Sequence, residues 1–375
     1  MKFFLSAALA LALSLVLPFS VSCTPAQSAS SQPRVLLVTV DGLRWQEVFG
    51  GADEALLNKE HGGVPDASVP RARYGGDSPE ERRAKLLPFL WGAVAREGQI
   101  YGNRPRGSRA DVTNQRWFSY PGYNELLTGR ADDARIVSNR PILNPNVSVL
   151  EWLQGRPGFG GKVFGCAAWQ AFPAILNTER SRLPVWVAGV KSLPGPTIPA
   201  LADLGRLVED VPSPWPDEHY DAFVQRAALA AIEASQPRVL YVSFGETDEW
   251  AHARRYDNYL EAAHRVDRWV KELWDKLQSL PEYQGHTTLL LTTDHGRGTT
   301  PENWTDHGEK VPESGQVWMA ALGPGVSALG ERTQAPEVKQ AQVAATVARL
   351  AGEDYPAQVP TAAPPVADMF PPGQP

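Results

Sequence analysis

The chain has 375 residues, of which 43% are hydrophobic and 21% are charged, and its formal net charge is -6. This composition supplies enough apolar residues for a well-filled core, and the length fits either one large α/β domain or two smaller domains. The acidic balance and the lack of a long basic run or basic-aromatic stripe argue against a nucleic-acid-binding surface.

The first 22 residues have the pattern of an export signal. Lys2 is followed by the apolar run Phe3–Leu17, and small or helix-breaking residues then precede Cys23. The apolar run is too short and too poorly flanked for a stable transmembrane helix. We therefore predict a signal peptide at residues 1–22 and an exported protein, either periplasmic or membrane-anchored in a bacterium.

The two cysteines have different settings. Cys23 is either the lipid-modified first residue of a bacterial lipoprotein, although Ser20 stands where Leu is usual, or a residue near a simple cleavage site. Residues 23–33 have the small, polar composition of a flexible tether. Cys166 lies in an apolar run and is predicted to be a buried free thiol.

Apolar, β-branched runs alternate with helical patterns along the rest of the chain. The predicted strands are Arg34–Val40, Lys162–Cys166, Arg238–Phe244, Thr287–Thr293 and Gln316–Leu322. The predicted helices are Asp217–Ala234, Tyr256–Leu280 and Pro336–Ala351, and the predicted loops are 50–80 and 188–217. This alternation predicts an α/β fold with a mostly parallel central sheet and helices on both faces. We assign residues 34–355 to this domain and residues 356–375 to a Pro- and Ala-rich tail, either extended on the surface or disordered.

Carboxylate and imidazole side chains stand at the ends of three predicted strands. Asp41 directly follows the first strand, and Asp294 and His295 directly follow Thr287–Thr293. Asp248 lies shortly beyond the strand that ends at residue 244. Ligands of open α/β sheets bind outside the carboxyl ends of the strands, so these side chains are expected to converge. A lone aspartate there is more often a helix N-cap, but several donors in one setting weaken that alternative.

His252 follows Asp248 at i+4, so on a helix the two side chains would share a face and could bind one metal ion. That pair is a weak signal by itself, and so is His307, because a solvated side chain is the usual alternative. The other histidines have no comparable setting and are predicted to be surface or structural residues: His61, His219, His264 and His286.

Ser119, in the segment WFSYPGYNELLTG, is the candidate nucleophile. It precedes Pro121 at the start of a predicted helix, where exposed N–H groups and the helix dipole favour a phosphoryl group. This segment alone favours the alternative that Ser119 only caps the helix. Together with six carboxylate or imidazole donors, the hydroxyl forms the set that two divalent metal ions and a nucleophile require: Asp41, Ser119, Asp248, His252, Asp294, His295 and His307.

Taken in order, these motifs resemble the alkaline phosphatase superfamily, especially its nucleotide pyrophosphatase/phosphodiesterase-like branch. The motifs are V-D-G at Val40–Gly42, Ser119 with Pro121 and Thr128–Gly129, D-x-x-x-H at Asp248–His252, D-H-G at Asp294–Gly296, and His307. The resemblance spans about residues 34 to 325. It implies an alkaline phosphatase-like sheet with a metal site at the carboxyl ends of its strands.

The resemblance also implies a role for each residue. One metal ion would be held by Asp41, Asp294 and His295 and shared with Ser119 Oγ. The other would be held by Asp248, His252 and His307. Mixed Asp and His ligation suits Zn2+, with Mn2+ as the alternative. In the family an Asn after the nucleophile helix helps to bind a phosphate oxygen; Asn139 is the best match, and Asn144 and Asn146 are the alternatives.

Differences between this sequence and the motifs of related branches narrow the range of activities that we predict. Tyr123 stands where the sulfatase branch requires Arg, and the chain has no obvious room for the inserted domain of the large phosphomutases. Ala251 replaces a frequent Gly, which is expected to change a turn slightly rather than to remove a ligand. We therefore predict a two-metal hydrolase of small-molecule phosphate esters that acts through a phosphoseryl intermediate. The alternatives are a sulfatase-like or phosphomutase-like member and a non-catalytic exported binding protein that retains the fold.

Residues beside the nucleophile bear on whether the substrate is a monoester or a diester. A charged clamp, which favours monoesters, could come from Arg116, Arg130 or Arg140. An apolar groove, which favours diesters, could come from Trp117, Tyr120 or Tyr123. Surface solvation and core packing are the respective alternatives, and the hypothesis leans slightly to a phosphodiesterase or a general phosphoesterase.

Overall fold

The computed structural model describes residues 32–373, so the predicted signal peptide, Cys23 and most of the predicted tether lie outside the described residues. The strands are β1 (Arg34–Val40), β2 (Gln99–Tyr101), β3 (Ala110–Asp111), β4 (Val163–Ala167), β5 (Val185–Val187), β6 (Val239–Phe244), β7 (Thr287–Thr292), β8 (Met319–Leu322), β9 (Gly330–Glu331) and β10 (Val338–Lys339). Eight of them form one central sheet in the order β5–β4–β6–β1–β7–β8–β2–β9, and β3 pairs with β10.

The centre of this sheet is parallel. Strands β5, β4, β6, β1 and β7 run in the same direction, while β8 is antiparallel to β7. In the register, Thr39 of β1 pairs with Ser243 of β6 on one side and with Thr292 of β7 on the other. Because these three strands end at the same level, the segments that follow them leave the sheet side by side. Asp41 and Asp294 each stand two residues beyond a pair of this register.

The helices are α1 (Trp45–Gly50), α2 (Ser68–Tyr74), α3 (Pro79–Leu86), α4 (Ala95–Glu97), α5 (Ser119–Thr128), α6 (Val149–Gln154), α7 (Phe172–Ile175), α8 (Thr178–Ser181), α9 (Pro199–Asp210), α10 (Asp221–Ser235), α11 (Glu246–His252), α12 (Tyr256–Gln278), α13 (Gln342–Leu350) and α14 (Tyr355–Gln358). Side chains alternate along β1, so Leu36 and Val38 face one hydrophobic core with α10 and α12. Val35 and Leu37 face a second core with α5, α6 and α13. The predicted α/β fold, with a mostly parallel sheet and helices on both faces, is confirmed.

Some element boundaries differ from the prediction. The last predicted strand begins at Met319 rather than Gln316. The last predicted helix begins at Gln342, because Val338 and Lys339 pair with β3 instead. The loop prediction for 50–80 was wrong where α2 and the start of α3 lie, and that for 188–217 was wrong at α9. In α9 the buried residues Leu201 and Val208 are spaced by two helical turns, a pattern hidden by the surrounding prolines.

The C-terminal segment is packed against the second core. Val366, Met369 and Phe370 are buried there, and the backbone N–H of Val366 donates to Thr346 Oγ1 of α13 at 3.0 Å. Cys166 in β4 is a buried free cysteine, as predicted. Among residues 32–373, no helix combines the length and apolarity that crossing a membrane would require.

Candidate metal and nucleophile site

The parallel register brings three donors together at the carboxyl edge of the sheet. We call Asp41, Asp294 and His295 the inner group; the Nε2 atom of His295 lies 3.4 Å from Asp41 Oδ1 and 3.5 Å from Asp294 Oδ2. The other oxygen of Asp41, Oδ2, accepts a hydrogen bond from the hydroxyl of Tyr123 at 3.0 Å. Asp294 accepts the N–H of Gly42 through Oδ1 at 3.2 Å. Each carboxylate thus keeps one buried oxygen without a hydrogen-bond partner, and that oxygen faces His295.

The predicted ligands of the other metal ion meet beside the inner group. We call Asp248, His252 and His307 the outer group; His252 Nε2 lies 3.0 Å from Asp248 Oδ2 and 3.0 Å from His307 Nε2. The carboxylate of Asp248 also lies 3.7 Å from His295 Nε2, so the two groups are continuous. Asp248, His295 and His307 also offer donor atoms that all lie within 4.8 Å of one another. His252 stands at the exposed rim of this cluster.

Backbone carbonyls orient two of the histidines. His295 donates through Nδ1 to the carbonyl of Gly296 at 2.9 Å, and His307 donates through Nδ1 to the carbonyl of Trp117 at 3.0 Å. A carbonyl only accepts, so Nδ1 carries the proton in both rings and the lone pair of Nε2 faces the carboxylates. Histidines that bind metals are commonly oriented in this way. The arrangement therefore fits a pair of divalent cations.

The pKa shifts of the buried carboxyl groups also fit a bound cation. Burial raises the pKa of Asp41 well above its ordinary value, and the charge of Asp248 adds to the rise. Burial likewise raises the pKa of Asp294, with the charge of Asp41 as the next cause. For Asp248, burial is outweighed by the charge of Arg297 and by histidine contacts, so its pKa is held well below the usual range. Asp248 is paired with a neighbouring cation, Arg297, whereas the two inner carboxylates are not. A bound metal ion would supply the positive charge that the inner carboxylates lack.

Ser119 is the first residue of α5 and its hydroxyl belongs to this site. Ser119 Oγ lies 3.3 Å from His295 Nε2 and is positioned to donate to it. The helix N-cap is Phe118, which makes no side-chain cap hydrogen bond, so Ser119 does not act as the N-cap. A Cβ atom on Gly122 would lie 2.5 Å from the carbonyl oxygen of Asp294. Glycine at this position therefore allows α5 to bring Ser119 close to the inner group.

The three candidate asparagines have separate positions. Asn139 accepts the backbone N–H of Tyr120 through Oδ1 at 3.0 Å, which places it beside Ser119 at the start of α5. Asn144 donates to Ile175 O at 3.1 Å and to the side chain of Asn124, and it is buried. Asn146 is buried and is hydrogen bonded to Asn124 and other side chains away from the nucleophile. Of the three, Asn139 is the one that is hydrogen bonded to the residue next to Ser119.

Arg297 and Tyr123 belong to the site but were not predicted to lie there. Arg297 is buried, pairs through Nη2 with Asp248 Oδ1, and donates to the carbonyl of Asp248 at 3.1 Å. Gly42, in the left-handed region at φ +59, lies close against this pair, since a Cβ atom there would lie 2.7 Å from Asp248 Oδ1. Tyr123 was predicted to line a groove or pack in the core. Its i+4 spacing from Ser119 was the signal that both side chains share one face of α5.

Tyr123 lies in a chain of buried hydroxyl groups. Its hydroxyl donates to Asp41 and accepts from Ser243 Oγ at 3.1 Å. Ser243 in turn accepts from Thr39 Oγ1 at 3.1 Å, and Thr39 lies 3.0 Å from the hydroxyl of Tyr241. These hydroxyls come from β1, β6 and α5, so they connect the inner group to the central strands.

The three arginines proposed as a phosphate clamp are used elsewhere or exposed. Arg116 pairs with Glu309 at 2.5 Å. Arg130 donates to Asn146 Oδ1 at 2.6 Å, and Arg140 is exposed in the following loop. The charged-clamp hypothesis therefore gains no support from their contacts.

The fold and the converging donors define the class as an α/β protein of the alkaline phosphatase superfamily. The family model of type I phosphodiesterase / nucleotide pyrophosphatase matches residues 161–364, more than half of the chain, and the chain belongs to this family. The matched range contains the outer group, Asp294 and His295, whereas Asp41 and Ser119 precede it. Membership supports a phosphoester hydrolase.

The chain is also similar to individual proteins, at low sequence identity. The chain is 24% identical over 378 positions to GPI ethanolamine phosphate transferase 1 of Emericella nidulans, covering 90% of this chain and 34% of that protein. It spans about a third of the length of the curated relatives it matches. Alkaline phosphatase PafA has a TM-score of 0.57 at 11% identity, covering 91% of this chain and 99% of that chain. A 2-O GAG sulfatase has a TM-score of 0.52 at 14% identity, covering 90% and 74%. At these identities the solved structures show a shared fold.

Proposed function

We propose that this protein is an exported, two-metal hydrolase of phosphate esters that acts through a phosphoseryl intermediate on Ser119. The single observation that carries the proposal is the position of Ser119 Oγ, 3.3 Å from His295 Nε2 and beside two buried, unpartnered carboxylate oxygens. A hydroxyl in that position is surrounded by the donors that a catalytic metal pair requires.

The residues fit two divalent cations, one held by the inner group and one by the outer group. Ligation by both carboxylate and imidazole suits zinc, with manganese as the alternative. When bound, such cations would lower the pKa of a serine hydroxyl or water and offset negative charge on phosphorus.

The chain itself positions the reacting groups. Ser119 Oγ forms a bond to phosphorus while the bond to the leaving alcohol oxygen breaks, and water then cleaves the serine–phosphate ester. The start of α5, a ten-residue helix, presents its positive dipole end to the phosphoryl group. Asn139 accepts the N–H of Tyr120, and its amide N–H group would donate to a phosphoryl oxygen. Tyr123 keeps Asp41 in a fixed orientation through its hydrogen bond.

The surroundings of Ser119 favour a diester over a monoester. A monoester carries an additional charged oxygen, which a cationic side chain would have to meet. Arg116 and Arg130 have other partners, and Arg297 is tied to Asp248. Asn139, which lies at the start of α5, is a neutral side chain.

Matched substrates test the reaction class directly. We expect purified protein loaded with zinc or manganese to hydrolyse an alkyl nitrophenyl phosphate faster than nitrophenyl phosphate and far faster than nitrophenyl sulfate. Removal of metal by a chelator should abolish each rate, and re-addition should restore it. Fewer than two metal ions per chain with no hydrolysis would favour a non-catalytic binding protein, and preferential sulfate release would favour a sulfatase.

A transfer reaction is the second candidate, because the curated relatives are named for transfer of ethanolamine phosphate. In that reaction an alcohol rather than water would cleave the serine–phosphate ester. With an alkyl nitrophenyl phosphate as substrate and an added alcohol such as ethanolamine, the ratio of nitrophenol to alkyl phosphate distinguishes the two. Equal release of nitrophenol and alkyl phosphate indicates hydrolysis, whereas nitrophenol in excess of alkyl phosphate, with a new diester of the added alcohol, indicates transfer.

Export and anchoring are also part of the proposal. The predicted signal peptide supports a periplasmic or membrane-anchored location, with Cys23 as the site of a lipid anchor or as a neighbour of a simple cleavage site. Mass spectrometry of the mature N-terminus from a bacterial expression host distinguishes a diacylated Cys23 from an unmodified new terminus.

A further inference from the structure

An exposed apolar surface lies in the loop that follows α5. Seven large hydrophobic residues are strongly exposed among residues 32–373, and four of them fall between 137 and 147. The exposed fractions are 47% for Val137, 56% for Ile142, 41% for Leu143 and 44% for Val147. We call these four residues the apolar rim. Clustered exposed apolar side chains commonly mark a binding surface, whereas isolated ones do not.

Hydrogen bonds beneath this loop hold its backbone in place. The amide of Asn146 donates to Asn124 Oδ1 of α5 at 3.0 Å, and the N–H of Asn144 donates to the carbonyl of Ala174 at 3.0 Å. Arg180 donates to the carbonyls of Asn144 and Asn146 at 3.0 and 2.8 Å. Because Asn144 and Asn146 are held by these partners, the exposure of the neighbouring apolar side chains is part of the folded structure.

The loop that carries the apolar rim is hydrogen bonded to the residue that follows the nucleophile. Asn139, which lies inside the same loop, accepts the N–H of Tyr120, the residue after Ser119. The hydroxyl of Tyr120 donates to the carbonyl of Ile142 at 2.5 Å. The first turn of α5 therefore connects directly to both Asn139 and Ile142. The loop that displays the apolar rim is thus anchored to the helix turn that carries Ser119.

The charges around the rim favour a substrate chain over a membrane. Recognition of an anionic bilayer typically requires a cluster of basic residues. Here Arg135 pairs with Asp132 at 2.5 Å and Arg130 is bonded to Asn146, which leaves Arg140 as the exposed cation within the rim segment. A single exposed arginine does not form a basic cluster, so the rim segment suits the apolar substituent of a substrate better than an anionic bilayer.

We propose that the apolar rim binds an apolar alcohol substituent of a phosphodiester, so that preferred substrates carry an alkyl or acyl chain of several carbons. This inference rests on the proposed function and specifies its substrate class. The covered chain leaves water when the diester binds, and each fully covered methylene can contribute up to about fourfold in kcat/KM. On an open surface we expect a smaller gain per methylene.

A homologous series of methyl, butyl and hexyl nitrophenyl phosphates tests the proposal. In the metal-loaded protein, kcat/KM should rise at least tenfold from methyl to hexyl. The double variant Ile142→Ser/Leu143→Ser should lose this rise, so that its hexyl and methyl rates become similar. The matched control Leu207→Ser/Leu329→Ser removes two leucines that are 50% and 53% exposed elsewhere, and it should retain the wild-type ratio.

Each result separates the inference from the function on which it rests. Hydrolysis of all three diesters at one rate overturns the inference and leaves the hydrolase intact. No hydrolysis of any diester by the metal-loaded protein overturns the proposed function itself. If the rim variant keeps the chain-length dependence but changes vesicle binding or oligomeric state, the rim serves a membrane or a second copy of the chain, and the inference is wrong.

Discussion

The inner group is enclosed, whereas the outer group opens to solvent. The side chains of His295 and Asp294 have no exposed surface, while 46% of the His252 side chain is exposed. The inner residues follow β1 and β7 directly, so strand register fixes their positions. The outer residues come from the short helix α11 and a long loop, and they depend on Arg297 and on the Trp117 carbonyl for their orientation. One half of the site is therefore set by the sheet, and the other by contacts between separate segments.

The largest expected effect is the loss of the nucleophile. Ser119→Ala should lower kcat for the alkyl nitrophenyl phosphate by roughly 10^4-fold or more, because no other hydroxyl would replace the attacking oxygen. Metal content, measured by mass spectrometry of the purified protein, should remain that of the wild type. Ser279→Ala, at the end of α12, is the control. Unchanged activity in Ser119→Ala would refute the assignment of the nucleophile.

Removing one predicted ligand from the inner group and one from the outer group tests whether the enclosed and exposed parts of the site differ in importance. Asp294→Asn removes an enclosed inner ligand, while His252→Ala removes a ligand at the solvent-exposed rim, where water can take its place. We expect the inner variant to lose more activity by at least about tenfold, or about 1.4 kcal/mol in the barrier. Excess zinc should restore part of the activity of His252→Ala and little of Asp294→Asn. Equal losses, with equal rescue, would contradict the distinction between the halves.

Arg297→Met tests how the outer group is held together. The substitution leaves the buried Asp248 without its cationic partner, so the metal-free protein should lose about 3 kcal/mol in its free energy of unfolding. A divalent cation would supply the missing positive charge, and saturating zinc should recover much of that loss. Urea denaturation with and without zinc measures both values, and Arg297→Lys provides the conservative comparison. A loss that zinc leaves unchanged would show that Arg297 acts only in packing.

The sequence predicted the sheet-dependent half of the site more completely than the other half. Asp41 and Asp294 each follow an apolar strand, so the parallel register alone brings them together. The partners of the outer group could not be predicted in the same way. The contact of Arg297 with Asp248 depends on how the loop after β7 folds over α11, and single-residue patterns carry no such information. Tyr123 was predicted from its aromatic residue type to line a groove or pack in the core. Its spacing from Ser119 nevertheless indicated that it lies at the site.

Tyr123→Phe should have a smaller effect, confined to the inner group. It removes the hydroxyl that orients Asp41 and keeps the ring in its packed position against Phe172. Residues that orient metal ligands typically contribute roughly 10- to 100-fold to metal affinity or activity. We expect the zinc titration midpoint to rise while kcat at saturating zinc changes less. Tyr120→Phe, on the same helix, removes a hydroxyl that contacts the apolar-rim loop instead, and its zinc midpoint should match the wild type.

The smallest expected response to zinc belongs to a buried carboxyl group outside the site, which tests whether burial alone explains the behaviour of the inner carboxylates. Asp267 is a buried carboxyl remote from the site, and it accepts the backbone N–H groups of Phe89 and Leu90 at 2.7 and 2.8 Å. Burial raises the pKa of Asp267 from its ordinary value of 3.8 to about 7, against those two hydrogen bonds.

Because this pKa is higher in the folded state, the stabilising contribution of Asp267 is complete below about pH 4 and is lost as the pH rises through about 7. Asp267→Asn stays neutral throughout, so this component of the pH dependence should disappear. The wild-type free energy of unfolding should therefore fall relative to the variant by up to about 1.4 kcal/mol per pH unit between pH 4 and 7. Zinc should leave this difference unchanged, since Asp267 lies outside both metal groups. A zinc-dependent difference would mean that the site and the surrounding core respond to metal as one unit.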